Sequence, residues 1–183
     1  MARRPRVIAD AGPLMVLAKL NALPLLKRLY GTVLISQTVY DEVVIEGLAR
    51  GYSDAGVVKF FWEQQGWRPV VVEDTDIPED LQKARLDPGE KESLFLATRS
   101  SRTLLLVDEE AAREAARERG VAVRGTLGLL AEAFRKRLIA LEELEFLFAQ
   151  IEQWEDVWIS TELCRQVLAV IKKEHKKKSR KRR

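Results

Sequence analysis

Apolar and polar positions along this chain follow two rhythms. Five short runs are essentially continuous in apolar residues: 6–9 (RVIA), 33–35 (VLI), 69–73 (PVVVE), 103–107 (TLLLV) and 121–123 (VAV). Continuous runs, as opposed to alternating ones, are expected of strands buried on both faces of a parallel sheet. Helix-length stretches separate them: 13–19, 23–30, 36–50, 54–65, 87–99 and 109–119. Their ends are chemically marked. Ser36 and Asp87 are N-cap types, Pro88 suits a first helical position, and Gly31 and Gly120 stand where helices stop. Beyond residue 126 the pattern is purely helical, over 126–137, 141–153 and 160–173. Strands alternating with helices predict an α/β doubly wound fold. The sheet is mainly parallel and five-stranded, flanked by helices, with a helical C-terminal extension.

Length and charge sharpen this picture. The 183 residues suit one compact domain, expected over 1–171. The net charge of +3 conceals a partition: residues 172–183 hold nine Lys/Arg against one Glu, and the remainder keeps 22 basic against 27 acidic residues. The basic tail is read as disordered, serving either a polyanionic partner or solubility. If all nine cations met phosphates of a single strand, the log affinity would fall against log salt with a slope of roughly −6. No apolar run is long enough for a membrane span, and no signal-type stretch follows the basic first residues, so a cytoplasmic location is expected.

Candidate chemistry is narrowed by scarcity. Cys164 is the only cysteine and His175, in the lysine-rich tail, the only histidine. Internal disulfides, Cys-rich zinc sites and His-based triads are therefore excluded. Carboxylates remain. In an open parallel sheet, ligands bind beyond the carboxyl ends of the strands. Asp10 ends the first run and Asp108 the fourth; Glu42 lies in the helix after the second, and Glu90 opens the helix before the fourth. Four acids on one rim would repel one another unless a cation neutralised them, and one or two Mg²⁺ or Mn²⁺ ions suit oxygen donors. Ordinary structural roles compete. Glu90 occupies the capping-box position relative to Asp87, Asp108 is placed to cap the next helix, and Glu42 resembles a surface acid. Asp10 fits a structural role least, since Pro13 sets the helix cap nearer Gly12. Gly-x-Gly-x-x-Gly and Gly-Lys-Ser/Thr phosphate loops are absent.

Together these segments resemble the PIN-domain ribonucleases, and in particular the VapC-type toxin subgroup that opens with Asp-Ala-Ser/Gly-Pro-Leu. VIADAGPLMVLAKL (7–20) matches that opening, ISQTVYDE (35–42) the segment of the second acid, LDPGEKESLFLA (86–97) the third and LLLVDEEAAR (104–113) the fourth. The likeness runs from about residue 7 to 168. It departs at Gly12, where many relatives have Ser, Thr or Asn, at Ser36 in place of proline, and at Glu90, where many have Asp. The resemblance implies a metal-dependent endoribonuclease. Asp10 and Asp108 would be metal ligands, and Glu42 and Glu90 would complete the pocket and orient the attacking water. Glu109 or Glu110 is a further candidate acid. In-line attack would leave a 5′-phosphate and a 3′-hydroxyl. The implied partners are an RNA substrate, a cognate antitoxin and a second copy of the chain. A catalytically weak nucleic-acid-binding PIN module, favoured by Gly12, and a housekeeping RNA-processing nuclease are the alternatives. Lys91, Arg99, Arg113, Arg117 and Arg124 are candidate RNA contacts near the rim, and Trp62, Trp67, Trp154 and Trp158 are read mainly as core aromatics.

Overall fold

A computed structural model describes residues 5–157 and 159–180. The chain divides into two compact units, Met1–Thr126 and Leu127–Arg183, where the sequence pattern suggests one domain followed by a tail.

The first unit is built on a parallel sheet. β1 (Arg6–Ala9) pairs with β2 (Thr103–Leu106), Val7 opposite Leu104 and Ala9 opposite Leu106, and β2 pairs with β3 (Ala122–Arg124). Among the described residues three strands form where five are expected. The 33–35 and 69–73 runs are extended segments joined by single parallel bridges, Leu34 to Ile8 and Val70 to Ser36. Their shortness has a cause. Ser36 already caps a helix, its hydroxyl accepting the Val39 amide at 3.2 Å, so the second run turns away after one pairing. Pro69 has no amide to donate, and Val71 is 66% exposed, so the third run lies at an edge. Counting the bridged segments, the five runs lie in the order third, second, first, fourth, fifth. The order reverses between β1 and β2, the topological position where doubly wound sheets bind ligands.

Helices follow the runs closely. α1 (Ala11–Lys19) begins directly after β1 with Asp10 as its N-cap residue, two positions earlier than Pro13 suggests. Pro13 is tolerated there because the first four helical amides have no intrahelical acceptor. α2 (Pro24–Tyr30) stops at Gly31, whose φ is 83°. The helix expected over 36–50 is composite: α3 (Gln37–Tyr40), a π-helical stretch Asp41–Glu46, and α4 (Gly47–Ala49). Glu42 is the second residue of the π-helical stretch, a distortion frequent at functional sites. α5 (Ser53–Gln65) packs on α1 and α4, and it buries Trp62, on whose ring Trp67 stands edge-on at 4.9 Å. A short α6 (Glu79–Gln82) leads to α7 (Pro88–Thr98), which lies across β1 and β2; α8 (Glu110–Glu118) packs on β3. Ile8, Leu94, Leu105, Val107 and Ala116 are core members of this layer.

Gly47 marks a close helix approach, since a Cβ there would stand 2.7 Å from the Ala55 Cβ. Gly47→Ala is expected to destabilise the protein by about 1–3 kcal/mol through overpacking. Urea denaturation measures this, and an unchanged midpoint would mean that α4 and α5 part freely.

The second unit is helical: α9 (Thr126–Arg135) leads into it, followed by α10 (Leu141–Gln153) and α11 (Thr161–Arg180). Leu144, Leu147, Phe148 and Ile151 give α10 a buried face at i, i+3, i+4 and i+7. α11 overturns the expectation of a disordered end over 172–180, because these residues continue the helix. Lys and Arg are good helix formers, and ion pairs tie the segment down: Lys172 to Glu145 at 2.8 Å and Glu174 to Arg135 at 3.1 Å. Trp154 is partly buried, whereas Trp158 and residues 181–183 lie outside the described residues. No described helix is long and apolar enough to cross a membrane.

Candidate active site

Strand pairing carries two acids to the same rim. The Asp10 amide donates to the Leu106 carbonyl at 2.9 Å, one step past the β1–β2 ladder, and the Val107 amide donates to the Arg124 carbonyl at 3.0 Å. Asp10 and Asp108 thus emerge at the carboxyl ends of adjacent strands, at the point where the sheet order reverses. The first turn of α1 lies against Asp108: a Cβ on Gly12 would stand 3.7 Å from the Asp108 Cβ.

The start of α7 and the π-helical stretch add the other two acids. A Cβ on Gly89 would lie 3.1 Å from Val39, 3.4 Å from Glu42 Oε2 and 3.9 Å from Asp10 Oδ1. The missing side chain at Gly89 thus leaves room for two carboxylates from different elements. One turn further along α7, the Ser93 hydroxyl donates a long 3.4 Å hydrogen bond to Asp10 Oδ1. Glu90 fills the capping-box role, Oε2 accepting the Asp87 amide at 2.9 Å, and it is also close enough to Asp10 to raise its pKa.

Electrostatics separate the four acids into two groups. Burial above all, then the negative charges of Glu90 and Glu42, push Asp10 up to about 7, against hydrogen bonds from the Ala11 amide and Ser93. Burial and neighbouring carboxylates, Asp87, Glu46 and Glu90, raise Glu42. Glu90 is raised by burial and by Asp87 and Glu109, opposed by the Asp87 amide. Among the described residues, no Lys or Arg forms an ion pair with Asp10, Glu42 or Glu90.

Asp108 is held differently. Its Oδ1 accepts the Thr126 amide at 2.7 Å and its Oδ2 the Thr126 hydroxyl at 2.6 Å. Burial raises its pKa, while Thr126 and the Arg113 charge pull it down. Asp108 therefore does not cap α8, whose N-cap is Glu109. Gly12 offers no side-chain hydroxyl beside Asp10, but Asp108 receives one from Thr126.

Neighbouring charges sort themselves out. Exposed Glu110 pairs with Arg113 and Arg117, whereas Glu109 is felt by Glu90. Arg124 donates to the Tyr30 hydroxyl at 3.1 Å, and Arg99 lies over the Phe95 ring. Ser93, Thr126, Gly89 and Arg113's place beside Asp108 are not legible as site features in the sequence. Spacing hints only at Ser93, which is one turn after Gly89 on a helix already carrying Glu90. Nor does the sequence mark Glu92, buried on α7, whose Oε1 accepts the Thr38 hydroxyl at 2.6 Å while its buried Oε2 has no partner.

The donor chemistry suits a hard divalent cation: the side chains offer only oxygen, and the most buried of them, Asp10, has two further carboxylates acting on it. A cation beside Asp10 would offset the burial and the neighbouring negative charge that raise its carboxyl pKa. Among the described residues no three acidic, His or Cys side chains converge into a ready-made cage. Mg²⁺ commonly uses one or two carboxylates and keeps several waters, so two carboxylates at this rim suffice.

The parallel α/β unit thus carries acids at its switch point, Asp10 buried and Asp108 partly so. A family model described as a PIN domain matches residues 6–173, and the chain belongs to the PIN-domain family. Among curated proteins and solved structures, nothing matches.

Proposed function

We propose that this PIN-domain chain is a metal-dependent endoribonuclease that hydrolyses RNA phosphodiester bonds, using Mg²⁺ or Mn²⁺. The observation that carries the reading is the approach of Glu42 and Glu90 to buried Asp10, with no Lys or Arg ion-paired to any of the three among the described residues, and Asp108 on the neighbouring strand end. When bound, the ion supplies positive charge beside the scissile phosphate and lowers the pKa of water at the site. Asp10 and Asp108 would hold it, directly or through water, Asp108 in an orientation set by Thr126. Glu42, whose pKa is raised, accepts a proton from the attacking water. Glu90 stiffens the start of α7 and adds to the negative field that draws the ion in. In-line attack leaves a 5′-phosphate and a 3′-hydroxyl.

The opening Asp10-Ala11-Gly12-Pro13-Leu14 supports a place among VapC-type toxins, acting in the cytoplasm and restrained by an antitoxin, with a second copy of the chain as a further partner. The test is cleavage of an end-labelled structured RNA by the full chain in EDTA, Mg²⁺ and Mn²⁺. Cleavage should require the metal, leave 5′-phosphates, and fall by roughly 10² or more in Glu42→Gln. Binding without metal-dependent cleavage would instead favour a nucleic-acid-binding module.

A further inference from the structure

We infer that the exposed face of the last turns of α11 is a phosphate-binding strip for single-stranded RNA, made of residues other than those of the acidic site. Its orientation is fixed within the second unit. Ile171 is buried, and the His175 ring stands edge-on to Phe134 at 5.4 Å. Lys172 and Glu174 are drawn to Glu145 and Arg135. At 100° per residue, the opposite side of the helix carries Lys173, Lys176 and Lys177, at i, i+3 and i+4, and all three are exposed.

No ion pair engages these three lysines among the described residues. The one acid in the segment, Glu174, is already committed to Arg135, so the row of positive charge is uncompensated. It also stands on a chain whose first 171 residues carry more acids than bases, 27 against 22. A polyanion would be repelled by that body in general and attracted here.

Two polyanionic partners suit such a row, and the composition chooses between them. A helix that lies on a membrane needs an apolar face to sink into the acyl boundary, and from position 172 onward the sequence KKEHKKKSRKRR holds no apolar residue. A phosphate backbone needs only the charges, and its affinity comes from released counterions. The choice of RNA over other nucleic acids rests on the proposed ribonuclease reading; the surface itself does not.

The experiment uses the full chain and a triple variant, Lys173→Gln, Lys176→Gln and Lys177→Gln. Glutamine is a good helix former, so circular dichroism and melting temperature should be unchanged. Anisotropy of a fluorescent single-stranded RNA is titrated over a salt series in EDTA, where cleavage plays no part. Losing three phosphate contacts should flatten the slope of log affinity against log salt by roughly 2. Across a fourfold rise in salt the unmodified chain should then lose roughly 16-fold more affinity than the variant. Vesicles of phosphatidylcholine with phosphatidylserine should not distinguish the two proteins. An unchanged slope, or a loss confined to vesicles, overturns the inference. Should the triple variant loosen α11, Lys176→Gln alone should still flatten the slope by roughly 0.7. Because the readout is binding in EDTA, a chain that fails to cleave but shows the slope change would refute only the nuclease reading.

Discussion

Asp10→Asn is expected to abolish RNA cleavage and, at about pH 8, to make the protein more stable. The two effects share a cause. Asp10 is 7% exposed, and burial with Glu90 and Glu42 beside it raises its carboxyl from 3.8 to about 7. The folded protein therefore holds the Asp10 proton more tightly than the unfolded chain does. Stability from the neutral carboxyl is fully present below 3.8, declines as pH rises, and is lost once pH passes about 7. Above that point the wild-type chain bears the full desolvation and repulsion of an ionised, buried Asp10.

The linkage corresponds to at most about 4 kcal/mol, and imperfect accommodation of the amide should leave about 2 kcal/mol of net gain. That is a rise of roughly 4–8 °C in melting temperature at about pH 8, shrinking toward zero near pH 4. Divalent cation should reverse the ranking. Mg²⁺ at a hundred times its dissociation constant would stabilise the wild-type chain by about 2.7 kcal/mol and leave the variant nearly unmoved. Cleavage should fall by roughly 10³ or more, since the variant loses the charge that holds the ion. Scanning fluorimetry over pH, with and without Mg²⁺, reads all of this. A difference in stability that does not vary with pH would refute the assignment of an ionisable, cation-seeking Asp10.

The second large effect is expected at a glycine. A Cβ on Gly125 would fall 2.7 Å from both Asp108 Oδ1 and Arg113 Nη1, and 3.6 Å from the Val107 carbonyl oxygen. Gly125→Ala must therefore displace the carboxylate or the guanidinium. Asp108 Oδ1 already accepts the amide of fully buried Thr126, so moving it strands that donor. Overpacking and a lost buried hydrogen bond together should destabilise the fold by about 3 kcal/mol. A carboxylate displaced by an ångström should lower cleavage on the order of 10²-fold.

Gly12→Ala is the matched control on the other side of the same carboxylate. Its Cβ would make an ordinary 3.7 Å contact with the Asp108 Cβ, within helix α1. Alanine is favoured over glycine in a helix by up to about 1 kcal/mol, so this variant should be as stable as the wild type or more so. Urea denaturation of the two variants gives opposite signs if the geometry around Asp108 is as described; equal destabilisation would contradict it.

Much of the fold is legible in the chain because it depends on local pattern. The apolar runs at 6–9 and 103–107 become β1 and β2, Ser36 and Asp87 cap the helices they precede, and Gly31 and Gly120 follow α2 and α8. Where the local pattern misleads, neighbours are responsible. Pro69 and the cap at Ser36 cut two runs down to single bridges. The short α6, with no apolar periodicity of its own, is not foreseen, although Leu81 buries it against the core. The basic segment over 172–180 reads as disordered from its charge, yet pairing with Glu145 and Arg135 accompanies a helix.

The sequence by itself determined which residue types were available for chemistry: one histidine, one cysteine, and acids placed just after apolar runs. It also placed an acid directly after the first and fourth runs, while the sheet made those two runs neighbours. Only the tertiary structure decided how the acids are shared out. Asp10 senses the charges of Glu90 and Glu42, and Glu42 that of Glu90, while Asp108 is engaged by Thr126 and influenced by Arg113. The physical reason is range. Capping and strand formation act over a few residues, whereas the Ser93–Asp10 and Thr126–Asp108 contacts join groups 83 and 18 positions apart. Such contacts, and the burial that shifts the carboxyl pKa values, exist only once the chain has packed.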